Sequence, residues 1–261
     1  MTVHWHLGEE QRRYISINEI ESESFGAGQS CSALFETNYK KVKKFFSEER
    51  KCDKMTEHSI YGAYLKDMEQ CIEEMEKHIN ALREELKRQR GMDPVEHFLS
   101  RIKSEESILE KCDRKGLPRT TDSVLFQIHD AIGIRIICAF VSDVYLIRDD
   151  LARLPEYEIV EEKDYIRHAK PNGYRSYHMI LKTRQGFFME VQLRTISMDT
   201  WAALEHHLKY KRKLCNNEQL IVSELKRCAD ELASTDISMQ TIRDMIFEGS
   251  YSESDVNSMD V

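Results

Sequence analysis

No apolar run in this 261-residue sequence is long enough to cross a bilayer, which excludes a membrane-spanning helix. No secretory h-region appears in the opening MTVHWHLGEE. Cysteine is present seven times, an odd number, yet no C-x-x-C pair occurs. The simplest account is a reduced cytoplasmic protein with buried free thiols. Positive charge is in deficit: the net charge is -8. That argues against general affinity for nucleic acid or membrane surfaces, so any anion site must be a local basic pocket. No internal repeat is evident. The dipeptide His129-Asp130 suggests a metal hydrolase, but no further His and Asp ligands at suitable spacing accompany it.

What is present is a helix-rich pattern around a few strands. Hydrophobic residues make up 41% and charged residues 32%, so a core can form under a well-solvated helical surface. Residues 1–35 hold no hydrophobic period. Helical spacing begins near Leu34 and dominates from Ile60 to Arg90, where Tyr64, Met68, Cys71, Ile72, Met75, Ile79 and Leu82 recur at steps of three and four. Gly91 and Pro94 end it, and a short turn of helix leads to Arg101. A helix is expected over Asp122–Ala131. GIRIICAF, Gly133–Phe140, reads as a strand buried on both faces. A helix over Val141–Leu154 and a strand over Tyr157–Tyr165 follow, then a KPNG loop at Lys170–Gly173. Helical spacing resumes from Ile196 to about Leu214 and from about Glu218 to Phe247. The expectation is an α+β fold: a mixed sheet of about five strands surrounded by helices, nucleotidyltransferase-like, with helical N- and C-terminal extensions. The expected parts are an extension over 1–58, a catalytic domain over 59–215, a C-terminal helix over 216–247 and a frayed tail over 248–261.

The densest signal is GYRSYHMILKTRQGFFMEVQLRT, Gly173–Thr195. Met189, Val191 and Leu193 alternate with Glu190, Gln192 and Arg194, as in a half-buried strand. Thr183–Gly186 supplies the turn. If the loop is three residues, His178 lies opposite Gln192 and Ile180 opposite Glu190, and one face carries His178, Glu190, Gln192 and Arg194; a four-residue loop would break that parity. A second signal is RIKSEESILEKCDRKG, Arg101–Gly116. On a helical wheel of roughly 100° per residue, Lys103, Ser107, Lys111 and Arg114 form one stripe. Six basic residues against four acidic ones over Arg101–Arg119 give a local +2 in a chain of -8. Such a stripe suits a polyphosphate. Asp130 precedes the buried strand at a sheet end, and Arg135 is an arginine inside an apolar strand, costly without a partner. Asp130 and Glu190, on neighbouring strands, could hold Mg²⁺. Tyr174 offers a stacking face to a base, and Lys163 and Lys170 are nearby cations. In WAALEHHLKYK, Trp201–Lys211, Glu205 is either a further site acid or the holder of a basic residue.

Five blocks occur in order: R-x-K-x-x-x-S-x-x-x-K at Arg101–Lys111, D-x-x-G-x-R at Asp130–Arg135, GYRSYH at Gly173–His178, EVQLRT at Glu190–Thr195 and WAALEH at Trp201–His206. Together they resemble the synthetase domain of the RelA/SpoT family, above all the stand-alone RelQ-type small alarmone synthetases. The likeness runs from about Cys71 to Ile246. It implies transfer of pyrophosphate from ATP to the 3′-hydroxyl of GDP or GTP, giving (p)ppGpp and AMP, in stringent-response signalling. It implies that Arg101 and Arg135 sandwich the adenine and that Lys103, Ser107, Lys111 and Arg114 hold the ATP phosphates. It assigns Mg²⁺ to Asp130 and Glu190, with Glu190 also taking the proton of the attacking hydroxyl. Lys163, Lys170, Tyr174, His178 and Gln192 would place the guanosine nucleotide, Tyr174 by stacking. Homo-oligomers, often tetramers, are implied.

Two features depart from the RelQ pattern. Ser100 stands where a glycine precedes the first motif arginine, and His97-Phe98-Leu99 replaces the Phe-x-Thr tied to alarmone binding. The chain has no motifs of the hydrolase domain or of the regulatory modules of long family members, so ribosome dependence is not expected. Two rivals remain: the same transfer to tRNA or an adenosine nucleotide, and a non-catalytic nucleotide- or RNA-binding regulator. The net charge of -8 speaks against tRNA, and Asp130 with Glu190 against the regulator.

Overall fold

The computed structural model describes residues 59–210 and 218–256, with side chains over 59–208 and 218–247. The extension expected over 1–58 and the residues around Leu214 lie outside the described residues. A turn of 3₁₀ helix leads into α1, Leu65–Arg90. Then come β1 (Val95–Ile102), α2 (Glu105–Lys115), α3 (Thr121–Phe126), β2 (Ile132–Cys138), α4 (Val141–Leu151), β3 (Tyr157–Asp164), β4 (Tyr177–Thr183), β5 (Phe188–Thr195), α5 (Ile196–Tyr210) and α6 (Glu218–Val256).

The strands form one mixed sheet in the order β1-β2-β5-β4-β3. The pair β2–β5 is parallel and the other pairs are antiparallel. One face is apolar: Ile132, Ile134, Ile136, Met179, Leu181, Met189, Val191 and Leu193 are buried there. Each such side chain contributes about 1.5–3 kcal/mol on leaving water. α1 adds Met68, Cys71, Met75 and Ile79 to the same core. It stops at Gly91, whose left-handed φ of 73° lets its N–H reach the Lys87 carbonyl at 2.9 Å.

The hairpin register is that of the three-residue loop: His178 pairs with Gln192 and Ile180 with Glu190. Gly186, at φ 91°, closes the loop with its N–H on the Thr183 carbonyl at 2.9 Å. Three local expectations are corrected. The turn of helix expected before Arg101 is strand β1, an edge strand paired with β2. The helix read over Arg101–Gly116 begins only at Glu105, because Ser104 is extended and its side chain caps the Ser107 N–H. The helix expected to reach Ala131 ends at Phe126, since the chain must turn before Ile132 enters the sheet. β2 is also less enclosed than expected: Gly133 and Arg135 are only partly buried, on the polar face.

α6 runs past the expected end at Phe247 to Val256 and packs back on the domain. The Trp201 indole N–H donates to the Leu225 carbonyl at 2.8 Å, and the Thr195 hydroxyl to Asp236 at 2.5 Å. Its outward side leaves Leu220, Ile237 and Met245 exposed.

Candidate active site

The polar face of the sheet collects the residues singled out in the sequence. Strand pairing places cross-strand partners on one face. Arg101 pairs with Gly133, Gly133 with Glu190, and Arg135 with Gln192. Gln192 in turn pairs with His178, and His178 with Lys163. Residues from all five strands therefore share one surface. The Arg101 side chain lies over Gly133, where a Cβ would stand 3.8 Å from it, in ordinary van der Waals contact.

Asp130 sits at the mouth of β2. Its Oδ2 accepts from Lys103 Nζ and Lys111 Nζ, both at 2.6 Å. Its Oδ1 is buried without a hydrogen-bond partner. Burial pushes the Asp130 carboxyl up, but the two ammonium groups outweigh that and hold it below the usual carboxylate range. Ser107 stands on the first turn of α2, with its hydroxyl 2.9 Å from that of Ser104. Arg114 is exposed on the last turn of that helix.

A closed ring of hydrogen bonds surrounds Glu190. His178 Nδ1 lies 3.2 Å from Glu190 Oε1, and Gln192 Nε2 donates to Oε2 at 2.9 Å. Arg194 Nη2 donates to Gln192 Oε1 at 2.9 Å and to the Tyr174 hydroxyl at 2.7 Å. The Tyr174 hydroxyl lies 2.8 Å from His178 Nε2, which closes the ring. Burial pushes Glu190 up, but the bonds from His178 and Gln192 more than offset it, and it titrates below its ordinary value despite the nearby Asp130 charge.

Arg135 bridges to Asp199 at 3.3 Å, and its Nε is buried without a partner. Burial pushes its guanidinium below the ordinary value, and the neighbouring Arg194 charge adds to this. Such an arginine is short of partners and suited to a base or an anion. On the other flank, Lys170 stands 4.5 Å from the Tyr165 ring centre and 4.9 Å from that of Tyr174. Lys163 is half-exposed and paired with Glu161 at 2.8 Å. Glu205 accepts from Asn172 at 3.1 Å, so it steadies the KPNG loop.

The thirteen residues expected in the site thus fall into an acid–lysine cluster, a pair of arginines and the Glu190 ring, with Ser107 on the first turn of α2, Lys170 over Tyr174, and Lys163 and Arg114 at the rim. Sequence reasoning gave no role to Arg194, Asp199, Tyr165 or Asn172. Arg194 had a signal, its place on the polar side of the hairpin. Among the described residues no group of three or more acidic, histidine or cysteine side chains could enclose a metal. Asp130, with an unpaired buried oxygen, and Glu190, which feels the Asp130 charge, are the two carboxylates that could hold a divalent metal.

Residues 100–214 match the region found in RelA / SpoT proteins. The chain is 44% identical over 149 residues to the GTP pyrophosphokinase YwaC of Bacillus subtilis, covering 54% of this chain and 70% of the relative. It is 31% identical over 192 residues to the GTP pyrophosphokinase YjbM of the same organism, covering 71% of this chain and 89% of that one. The fold is similar to the crystal structure of small alarmone synthetase 1 from Bacillus subtilis bound to its product pppGpp. The TM-score is 0.61 and the identity 30%, over 70% of this chain and 96% of that one.

Proposed function

The chain belongs to the RelA/SpoT family of GTP pyrophosphokinases, and we propose on that footing how its site performs the transfer. It is a GTP/GDP pyrophosphokinase that moves the pyrophosphate of ATP to the 3′-hydroxyl of GDP or GTP, giving (p)ppGpp. The 3′-oxygen bonds to the β-phosphorus of ATP, the bond from that phosphorus to the α-phosphate bridging oxygen breaks, and AMP leaves. Glu190 would take the hydroxyl proton. It is ionised at neutral pH, and its two oxygens are oriented by His178 and Gln192. Arg101 and Arg135 would grip the adenine. Lys103, Ser107, Lys111 and Arg114 would hold the phosphates, the two lysines turning from Asp130 to the nucleotide. Tyr174, Lys170, His178, Gln192 and Lys163 would seat the guanosine nucleotide. Mg²⁺ on Asp130 and Glu190 would neutralise the phosphate charge when bound.

One observation carries this reading: a single sheet face presents an acid–lysine cluster and an oriented carboxylate from adjacent parallel strands. Positioning and charge neutralisation are what phosphoryl-type transfer asks of a protein. The test is incubation with ATP, Mg²⁺ and GDP or GTP, with tRNA and adenosine nucleotides as competing acceptors. AMP and the 3′-pyrophosphorylated guanosine nucleotide should appear in equal amounts. Their absence, or preference for another acceptor, would refute it. We further read the chain as a cytoplasmic homo-oligomer, a tetramer joined through α6. Support comes from the four free thiols among the described residues and from the apolar side chains α6 exposes. No described helix is long and apolar enough to cross a membrane.

A further inference from the structure

Arg194 is the least exposed charged group of the Glu190 ring, at 4%. It is also almost saturated. Nη1 donates to Asp199 at 2.9 Å, Nη2 to both Tyr174 and Gln192, and Nε to the Ser176 hydroxyl at 3.4 Å. A group so placed has little left to offer a substrate. Its importance lies in direction. Arginine only donates. The Tyr174 oxygen therefore accepts from Arg194, and its single proton is free to go to His178 Nε2. That leaves His178 protonated on Nδ1, which donates to Glu190 Oε1. Along the other arm the Gln192 oxygen accepts from Arg194, so its amide nitrogen must face Glu190 Oε2. Both arms run one way, from one buried guanidinium to the two oxygens of one carboxylate.

We propose that Arg194, anchored by Asp199, is the positioning residue of the reaction: it fixes the His178 tautomer and the Gln192 amide orientation, and through them aims Glu190. Each Glu190 oxygen then receives one fixed donor and keeps lone-pair capacity directed into the site. The inference rests on the reading of Glu190 as the base. Asp199 gives it reach, because the same Oδ1 accepts from Arg194 and lies 3.3 Å from Arg135 Nη1. The arginine of the adenine side and the carboxylate that meets the acceptor thereby share one anchor.

The test uses the full chain without nucleotide or added metal. Nitrogen-15 NMR of His178 should show the proton on Nδ1 in the wild type. Tyr174→Phe keeps the aromatic face and removes only the hydroxyl. It should give a mixed tautomer and a kcat lowered roughly tenfold, with KM for the guanosine nucleotide within about twofold, as for loss of an outer partner that orients a site group. Arg194→Met should cut both arms and lower kcat roughly a hundredfold. Arg194→Lys keeps the charge beside Asp199 but not the fork. It should recover the melting temperature while leaving the tautomer mixed and kcat low. Should Arg194→Met not fold, Tyr174→Phe and Arg194→Lys carry the test. A wild-type proton on Nε2 would overturn the proposal. So would a Tyr174→Phe protein with unchanged tautomer and kcat, or full recovery of both by lysine. If Glu190→Gln turned over normally, the base assignment itself would fall; the tautomer is read without turnover, so the two failures are separable.

Discussion

Replacing Gly173 by alanine tests whether α6 shapes the nucleotide loop. Gly173 has a φ of +92°, and a Cβ there would lie 2.6 Å from Ala229 Cβ and 3.1 Å from Lys226 Cα. An L-residue in left-handed backbone costs about 1–2 kcal/mol. Overpacking against helix backbone adds about 1–3 kcal/mol. For a body of this size each kcal/mol moves the Tm by about 2–4 °C, so Gly173→Ala should lower it by roughly 4–20 °C. Calorimetry reads the fall, and a double-mutant cycle assigns it. Ala229→Gly alone should cost about 1 kcal/mol, as glycine does inside a helix. In the Gly173→Ala background it should instead relieve the clash, giving a favourable coupling of about 1–3 kcal/mol. Tyr174 and Lys170 flank the loop, so KM for the guanosine nucleotide should rise while KM for ATP holds. Strict additivity, or a Tm within about 1 °C of wild type, would refute the packing argument.

Glu190→Gln should lower kcat by about 10²–10⁴, the usual worth of a general base, with ATP binding by calorimetry preserved. Lys111→Ala removes one of the two cations on Asp130 and should raise KM for ATP more than it lowers kcat, in steady-state assays. Ser104→Ala deletes the α2 cap and should cost about 1 kcal/mol in urea unfolding. Asp130 titrates below 3.8 in the folded chain, so its pairing stabilises at higher pH and is lost as pH falls through the folded value. Asp130→Asn should therefore be less stable than wild type at pH 6, with the gap closing in denaturant titrations taken below 3.8.

The hairpin was legible because alternation and a glycine turn fix register locally, and register alone brought His178, Glu190 and Gln192 together. Strand β1 was not. Its sequence, VEHFLSRI, holds few β-branched residues, and Leu99 is 55% exposed on the sheet edge, so no alternation marks it. It is a strand because β2 supplies a partner, a non-local fact. Lys103, Ser107 and Lys111 keep a four-residue step across a helix start, and a wheel cannot see termini. Ser104 followed by Glu105 and Glu106 was the overlooked start signal. The Arg194 ring depends on side-chain orientations joining a loop, two strands and α5, which no single stretch of sequence encodes.

The matched RelA/SpoT region ends at residue 214, yet the enzyme's masonry does not. Ala229 backs Gly173, Leu225 receives the Trp201 indole and Asp236 ties down Thr195 at the end of β5. A fragment ended at residue 214 would keep α1, the sheet and the residues proposed for the nucleotides, and lose the buttress behind the acceptor side. It should still bind ATP while gripping the guanosine nucleotide poorly, so the shared region and the mechanics draw different edges around the same machine.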